Sequence, residues 1–282
     1  MNVTRARAAA AAGNSSFVPT RLGRLHVRTH GQGPLTVLWP SMFVDGHTWD
    51  GLVDRLAPAR RRLVLVDGPG LGLSDPLARD SDIAEAADAA VDLLDGLGAD
   101  GPVDWVGNAF GGHVGFDLAT RPGVLRSLVA ISSPAEPIAV ELRRQINMML
   151  PLLRVAGPVG PVRAAIIEAM LTEASAGDAS VLKVVTDSLA RPSRRSITRA
   201  VRSFILNRVD VTDQLRDNTV PSLFVASDDR GDWSPEDAER AARITPHAEA
   251  VVIPGARTLV PLEQPAATAR TITDFWQQVE QS

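Results

Sequence analysis

The chain has 282 residues, 45% of them hydrophobic and 22% charged, with a formal net charge of −4. That is enough apolar material for one sizeable core, and the mild acidity excludes the basic surface that a nucleic-acid binder needs. The absence of cysteine excludes disulfides and thiolate metal sites and fits a reducing, cytoplasmic setting, and no apolar run approaches the roughly 20 residues of a membrane span.

Residues 1–16 carry Arg5, Arg7 and an alanine run. The run is too short and too weakly apolar for the core of a signal peptide, and a frayed tail is expected. Short apolar, β-branched runs follow at 25–28, 35–39, 63–67, 103–106, 128–132, 222–226 and 250–253. Such continuous runs predict strands buried on both faces of a mainly parallel sheet. Helical patterns fall between them, at 48–56, 83–97, 110–120, 235–244 and 265–281. The alternation implies an α/β layered fold, with any ligand at the carboxyl ends of the strands. Arg60-Arg61-Arg62 reads as a solvated surface run.

Residues 134–218 break the alternation. They are helical in pattern and rich in apolar side chains, among them Ile146, Met148, Met149, Ile166, Ile167 and Met170, with interruptions at Pro151, Pro158 and Pro161. An apolar helical stripe is first of all core. Methionines facing a cleft also mould to apolar ligands, which makes Met148, Met149 and Met170 candidate substrate contacts. The chain thus divides into an α/β core in two parts, 1–133 and 219–282, with a helical insertion at 134–218, as one domain overall.

Five motifs occur in a telling order. Trp39-Pro40-Ser41-Met42 ends the strand at 35–39, and Trp49 follows it. Next come the turn Asp67-Gly68-Pro69-Gly70-Leu71-Gly72-Leu73-Ser74-Asp75 and Gly107-x-Ala109-x-Gly111, which has the spacing of the G-x-S-x-G nucleophile elbow. Last are the strand at 221–226 and the flanking segments Ile253-Pro254-Gly255-Ala256 and Pro261-Leu262-Glu263-Gln264-Pro265. In this order the chain resembles the α/β-hydrolase superfamily over nearly its whole length. The resemblance implies a helical cap over the active site at 134–218.

Carried over position by position, the superfamily's triad is vacant. The nucleophile position holds Ala109, the acid position falls at Arg230, and the histidine position falls at Thr258. The usual His-Gly pair after the early strand is replaced by Trp39-Pro40. A methyl group cannot attack a carbonyl, and a serine without its base is inert in any case. Losing the whole triad costs about 10⁶ in turnover. A metal site is not expected, because the five histidines have no ligand spacing, and no cofactor is expected.

The emptied site keeps an implied oxyanion hole, formed by the backbone N–H groups of Phe110 and of the loop after Pro40, taken as Met42. Asp229, Asp232, Arg230, Ser41 and His47 are the candidate acid–base groups. Each has a plainer reading: the aspartates as loop or capping residues before Pro235, Arg230 and Arg257 as partners of those carboxylates, and His47 as a helix-start residue. Trp39, Asn108, Ala109, Trp233, Arg257 and Thr258 complete the candidate lining, while His113 reads as a packing residue.

The expected function is a non-hydrolytic enzyme of bacterial natural-product biosynthesis, carrying out cofactor-free carbon–carbon bond formation, cyclisation or lyase chemistry on a bulky apolar intermediate. The alternatives are a catalytically inactive small-molecule-binding protein and, more weakly, a hydrolase using directly activated water. The expected partner is a hydrophobic small molecule, without nucleic acid or membrane, and a homodimer is left open.

Overall fold

A computed structural model describes residues 14–229, 231 and 233–281. Eight strands form one sheet: β1 (Asn14–Thr20), β2 (Gly23–His30), β3 (Leu35–Trp39), β4 (Arg62–Val66), β5 (Val103–Asn108), β6 (Leu125–Ile131), β7 (Ser222–Ser227) and β8 (Ala248–Ile253). Their order is β1-β2-β4-β3-β5-β6-β7-β8. β1 and β2 pair antiparallel, as do β2 and β4, and every later pair is parallel.

The core helices are α1 (Asp50–Leu56), α2 (Ile83–Gly96), α3 (Phe110–Ala119), α10 (Pro235–Ile244), the short α11 (Val260–Glu263) and α12 (Pro265–Gln281). α1, the 3-10 turn Gly46–Trp49 before it, and α12 cover one face of the sheet with Trp49, Leu52, Phe275 and Trp276. α2, α3 and α10 cover the other, where Trp105, Phe116 and Phe224 are buried. Between β6 and β7 lie α4 (Val140–Ala156), α5 (Gly160–Met170), α6 (Glu173–Gly177), α7 (Ala179–Ala190), α8 (Arg194–Ala200), a π-helical segment (Val201–Leu206) and α9 (Thr212–Asp217). Among the described residues no helix is long and apolar enough to cross a membrane.

Two expectations need correction. Asn14–Ser16 are not frayed: they open β1, which pairs with β2 from Asn14↔Thr29 onward. As an edge strand with only Val18 buried, β1 carries no continuous apolar run. Arg61 is not on a solvated run either. It is 4% exposed, because its guanidinium lies 4.4 Å from the Trp276 ring centre and bonds the buried Asp104.

Candidate functional site

β3 stands between β4 and β5, so the connections leaving β3 and β5 run to opposite sides and open a crevice at their carboxyl ends. The β5–α3 turn is the elbow. Ala109 takes φ 46° and ψ −102°, a region that L side chains avoid. Its N–H donates to the Ile131 carbonyl at 2.7 Å, and its carbonyl accepts from the N–H groups of Gly112 and His113 at 2.9 and 3.0 Å. The turn is too tight for side chains on its flanks: a Cβ on Gly107 would strike the Gly111 backbone, and one on Gly111 would strike the Trp39 carbonyl.

Ala109 borders a cavity of about 280 Å³. From the core come Ser41, Met42, Phe43, Ala109, His113 and Thr258. α4 contributes Leu142, Gln145, Ile146, Met149, Leu150 and Leu153, and α5 contributes Val162, Ala165, Ile166, Ala169 and Met170. Both sets recur at three- and four-residue steps, the single face of an α-helix. The π-helical segment adds Val201, Phe204 and Ile205, and Arg208 follows it. The wall is therefore apolar, and Arg208 is the one ionised side chain among these lining residues. The amides of Met42 and Phe110 sit at the two chain turns beside Ala109, and neither donates to a protein acceptor among the described residues.

His113, read from sequence as packing, is on the wall. Its Nε2 lies 3.0 Å from the Pro134 carbonyl, which can only accept, so Nε2 carries the proton and Nδ1 is left as a buried acceptor with no partner among the described residues. Burial, helped by the positive charge of Arg208, pushes its pKa down to about 3. The ring is neutral at any ordinary pH. The position was legible: His113 is four residues after Ala109, one helical turn along the same face.

Of the other candidates, Ser41, Met42, Ala109, Met149, Met170 and Thr258 border the cavity. Trp39 does not. It is fully buried beneath the elbow, stacked on Trp105 at 5.3 Å and edge-on to Phe110 at 6.1 Å. Trp233 likewise fills core against Phe224. Met148 is 65% exposed, because the neighbour of a cavity-facing residue on a helix turns about 100° away. The Phe110 side chain does not line the cavity, its ring being stacked on Phe204 at 4.5 Å.

Asn108 spends its amide N–H₂ on structure, donating to the carbonyls of Ile131 and Thr258 at 3.1 and 2.8 Å, while its buried Oδ1 has no partner among the described residues. His47 faces the surface, with Nδ1 2.8 Å from Asp50 Oδ2. Asp229 and Arg257 lie off the cavity and pair with each other at 2.9 Å. Arg257 also donates to the Glu168 carbonyl at the end of α5, and the Thr258 hydroxyl donates to the Ala169 carbonyl at 3.0 Å. The segment in the histidine position is thus tied to α5 by hydrogen bonds. Arg230 and Asp232 lie outside the described residues.

Comparison with known proteins agrees with this geometry. Residues 30–271 match the model of the alpha/beta hydrolase family. The chain belongs to that family. It is 30% identical over 249 residues to the polyketide synthase ThaQ of Burkholderia thailandensis, covering 83% of this chain but 11% of that much longer protein. It is 27% identical over 209 residues to the pimeloyl-[acyl-carrier protein] methyl ester esterase of Shewanella sp. strain MR-7, covering 71% of this chain and 75% of the other. A thermophilic esterase from Thermogutta terrifontis superposes with a TM-score of 0.82 at 23% identity, over 95% of this chain and 99% of that one.

Proposed function

We propose that this chain is a family member turned away from covalent serine chemistry, with residues 134–218 as a cap over the cavity. In this reading it binds a compact, largely apolar biosynthetic intermediate, and the Met42 and Phe110 amides hold an oxygen on which negative charge develops. The reaction is a cofactor-free carbon–carbon bond formation, cyclisation or lyase step. Its setting is bacterial natural-product biosynthesis, which the similarity to a stretch of a polyketide synthase supports. The observation that carries the proposal is the methyl group of Ala109 at the apex of an otherwise intact elbow, facing the cavity. A cavity of about 280 Å³ is at the small end of ligand sites, so the intermediate is compact rather than bulky.

Hydrolysis by directly activated water is the second reading, and the esterase named among the relatives favours it. The engagement of Asp229 by Arg257 counts against that aspartate as its base. Mass spectrometry of ligand released from the purified protein, followed by incubation with fresh protein, separates the readings. An isomer or a lower-mass product supports the proposal. A product heavier by one water overturns it, and a tightly held but unchanged ligand replaces it with a binding role.

A further inference from the structure

The N-terminal hairpin carries a chain of three side chains that plays no part in the cavity. Ser15 lies opposite Arg28 in the β1–β2 ladder, and Phe17 lies opposite His26. Alternate strand residues share a face, so these four side chains stand on one side of the hairpin. Ser15 Oγ is 2.9 Å from His26 Nε2, and His26 Nδ1 is 2.9 Å from Asp67 Oδ2. Asp67, just past the end of β4, also accepts the N–H of Leu73 on Oδ2 at 2.8 Å and that of Gly46 on Oδ1 at 2.9 Å. Burial disfavours the carboxylate, but the His26 hydrogen bond and the two amides outweigh it and hold the carboxyl below its usual range.

A carboxylate only accepts, so Nδ1 carries a proton, and in the neutral ring Nε2 then presents its lone pair to the Ser15 hydroxyl. The side chains of His26 and Asp67 are each 5% exposed, whereas Ser15 is exposed. An accessible hydroxyl therefore rests on a buried base of fixed tautomer, itself oriented by a buried acid. These are the roles that activate a serine, wherever in a fold they occur.

We propose that Ser15 is an acylation site, its hydroxyl activated by His26 and Asp67 toward small activated esters with aryl leaving groups. Phe17, 46% exposed on the same face, offers the aryl ring an apolar rest. Ser15 Oγ attacks the ester carbonyl and its proton passes to His26 Nε2. The new Oγ–acyl bond forms as the acyl–oxygen bond to the aryl group breaks, and His26 returns the proton to the departing phenolate. No other co-reactant is needed, and the step is independent of Ala109 and of the cavity.

The test is exposure of the full chain to 4-nitrophenyl acetate, with peptide mapping of the acetylated residue. Ser16 is the internal control, because it is the next residue, is also exposed and points to the opposite face. Base assistance contributes about 100-fold at its lower limit, so Ser15 is expected to acetylate about 100-fold faster than Ser16. His26→Gln keeps an amide donor near Asp67 but no base, and it should bring Ser15 down to the Ser16 rate. Ser15→Ala should remove the label. Equal rates at Ser15 and Ser16 in the unaltered chain, or no acetylation of Ser15, overturn the proposal whether or not His26→Gln folds.

Discussion

Ala109 and His113 are the two residues of the cavity wall whose conformation and protonation are most constrained. A non-glycine residue at φ 46° and ψ −102° costs on the order of 1–3 kcal/mol and persists only where its surroundings over-determine it. Here the glycine contacts on both sides of the turn do so. The turn has the backbone of a nucleophile elbow with alanine at its apex, and His113 on the same cavity wall is neutral. Its pKa of about 3 against an ordinary 6.5 makes it a reporter. The unfolded chain binds this proton below pH 6.5 and the folded chain does not. The group's contribution is therefore complete above pH 6.5 and is lost as pH falls toward 3. Between pH 7 and pH 5 the loss from this ring is about 2 kcal/mol. Urea denaturation of the unaltered chain and of His113→Gln should show the variant losing about 2 kcal/mol less over that interval. Parallel losses would mean that the folded protein admits the charged ring.

At the scale of elements, most of the sheet was legible because buried parallel strands are uninterrupted apolar runs. The run at 35–39 is the whole of β3, and the helical patterns at 235–244 and 265–281 are α10 and α12. β1 was hidden because an exposed edge strand containing Pro19 has neither an apolar run nor strict alternation. The elbow was legible from glycine spacing alone. The facing of Trp39, Trp233 and Met148 was not, because which side of an element meets the cavity depends on partners far away in sequence. The pairing of Asp229 with Arg257 was one of two open readings, and it ties the loop after β7 to the loop after β8. With Arg257 mostly buried and Asp229 30% exposed, solvent screens the pair. A double-mutant cycle of Asp229→Asn and Arg257→Met is expected to give a coupling of about 0.5–1 kcal/mol. Arg257→Met alone should cost more, since it also removes the hydrogen bond to Glu168 at the end of α5. A coupling near zero would show that the two loops are held independently.

Across the whole molecule, the cavity and the Asp104 charge cluster lie at opposite ends of the sheet. The cavity lies at the carboxyl ends of β3 and β5. The amino end of β5 holds Asp104, 1% exposed, which accepts from Arg61, from Arg126 Nε at 2.9 Å and from Ser127 Oγ at 2.7 Å. Arg61 lies over Trp276 and reaches Glu280 on α12, so one cluster, buried at Asp104 and Arg61 and open to solvent at Glu280, joins β5, β6, the start of β4 and the last helix. Removing one member of a buried pair leaves the other charged and unpaired, at a cost of about 3–5 kcal/mol. Asp104→Ala should lower the unfolding free energy by about 3 kcal/mol, the low end of that range, because Arg61, its side chain 3% exposed, keeps Glu280 as a partner but loses the buried carboxylate. The same variant, at a temperature where it remains folded, should bind an anilinonaphthalene sulfonate dye in the cavity with an unchanged dissociation constant. Four residues of β5 separate Asp104 from Ala109, so a shift in dye affinity would mean that β5 transmits strain from its amino end to the elbow. A stability loss below about 1 kcal/mol would mean instead that Arg61 finds Glu280 and solvent without Asp104, and that α12 docks on its apolar face alone.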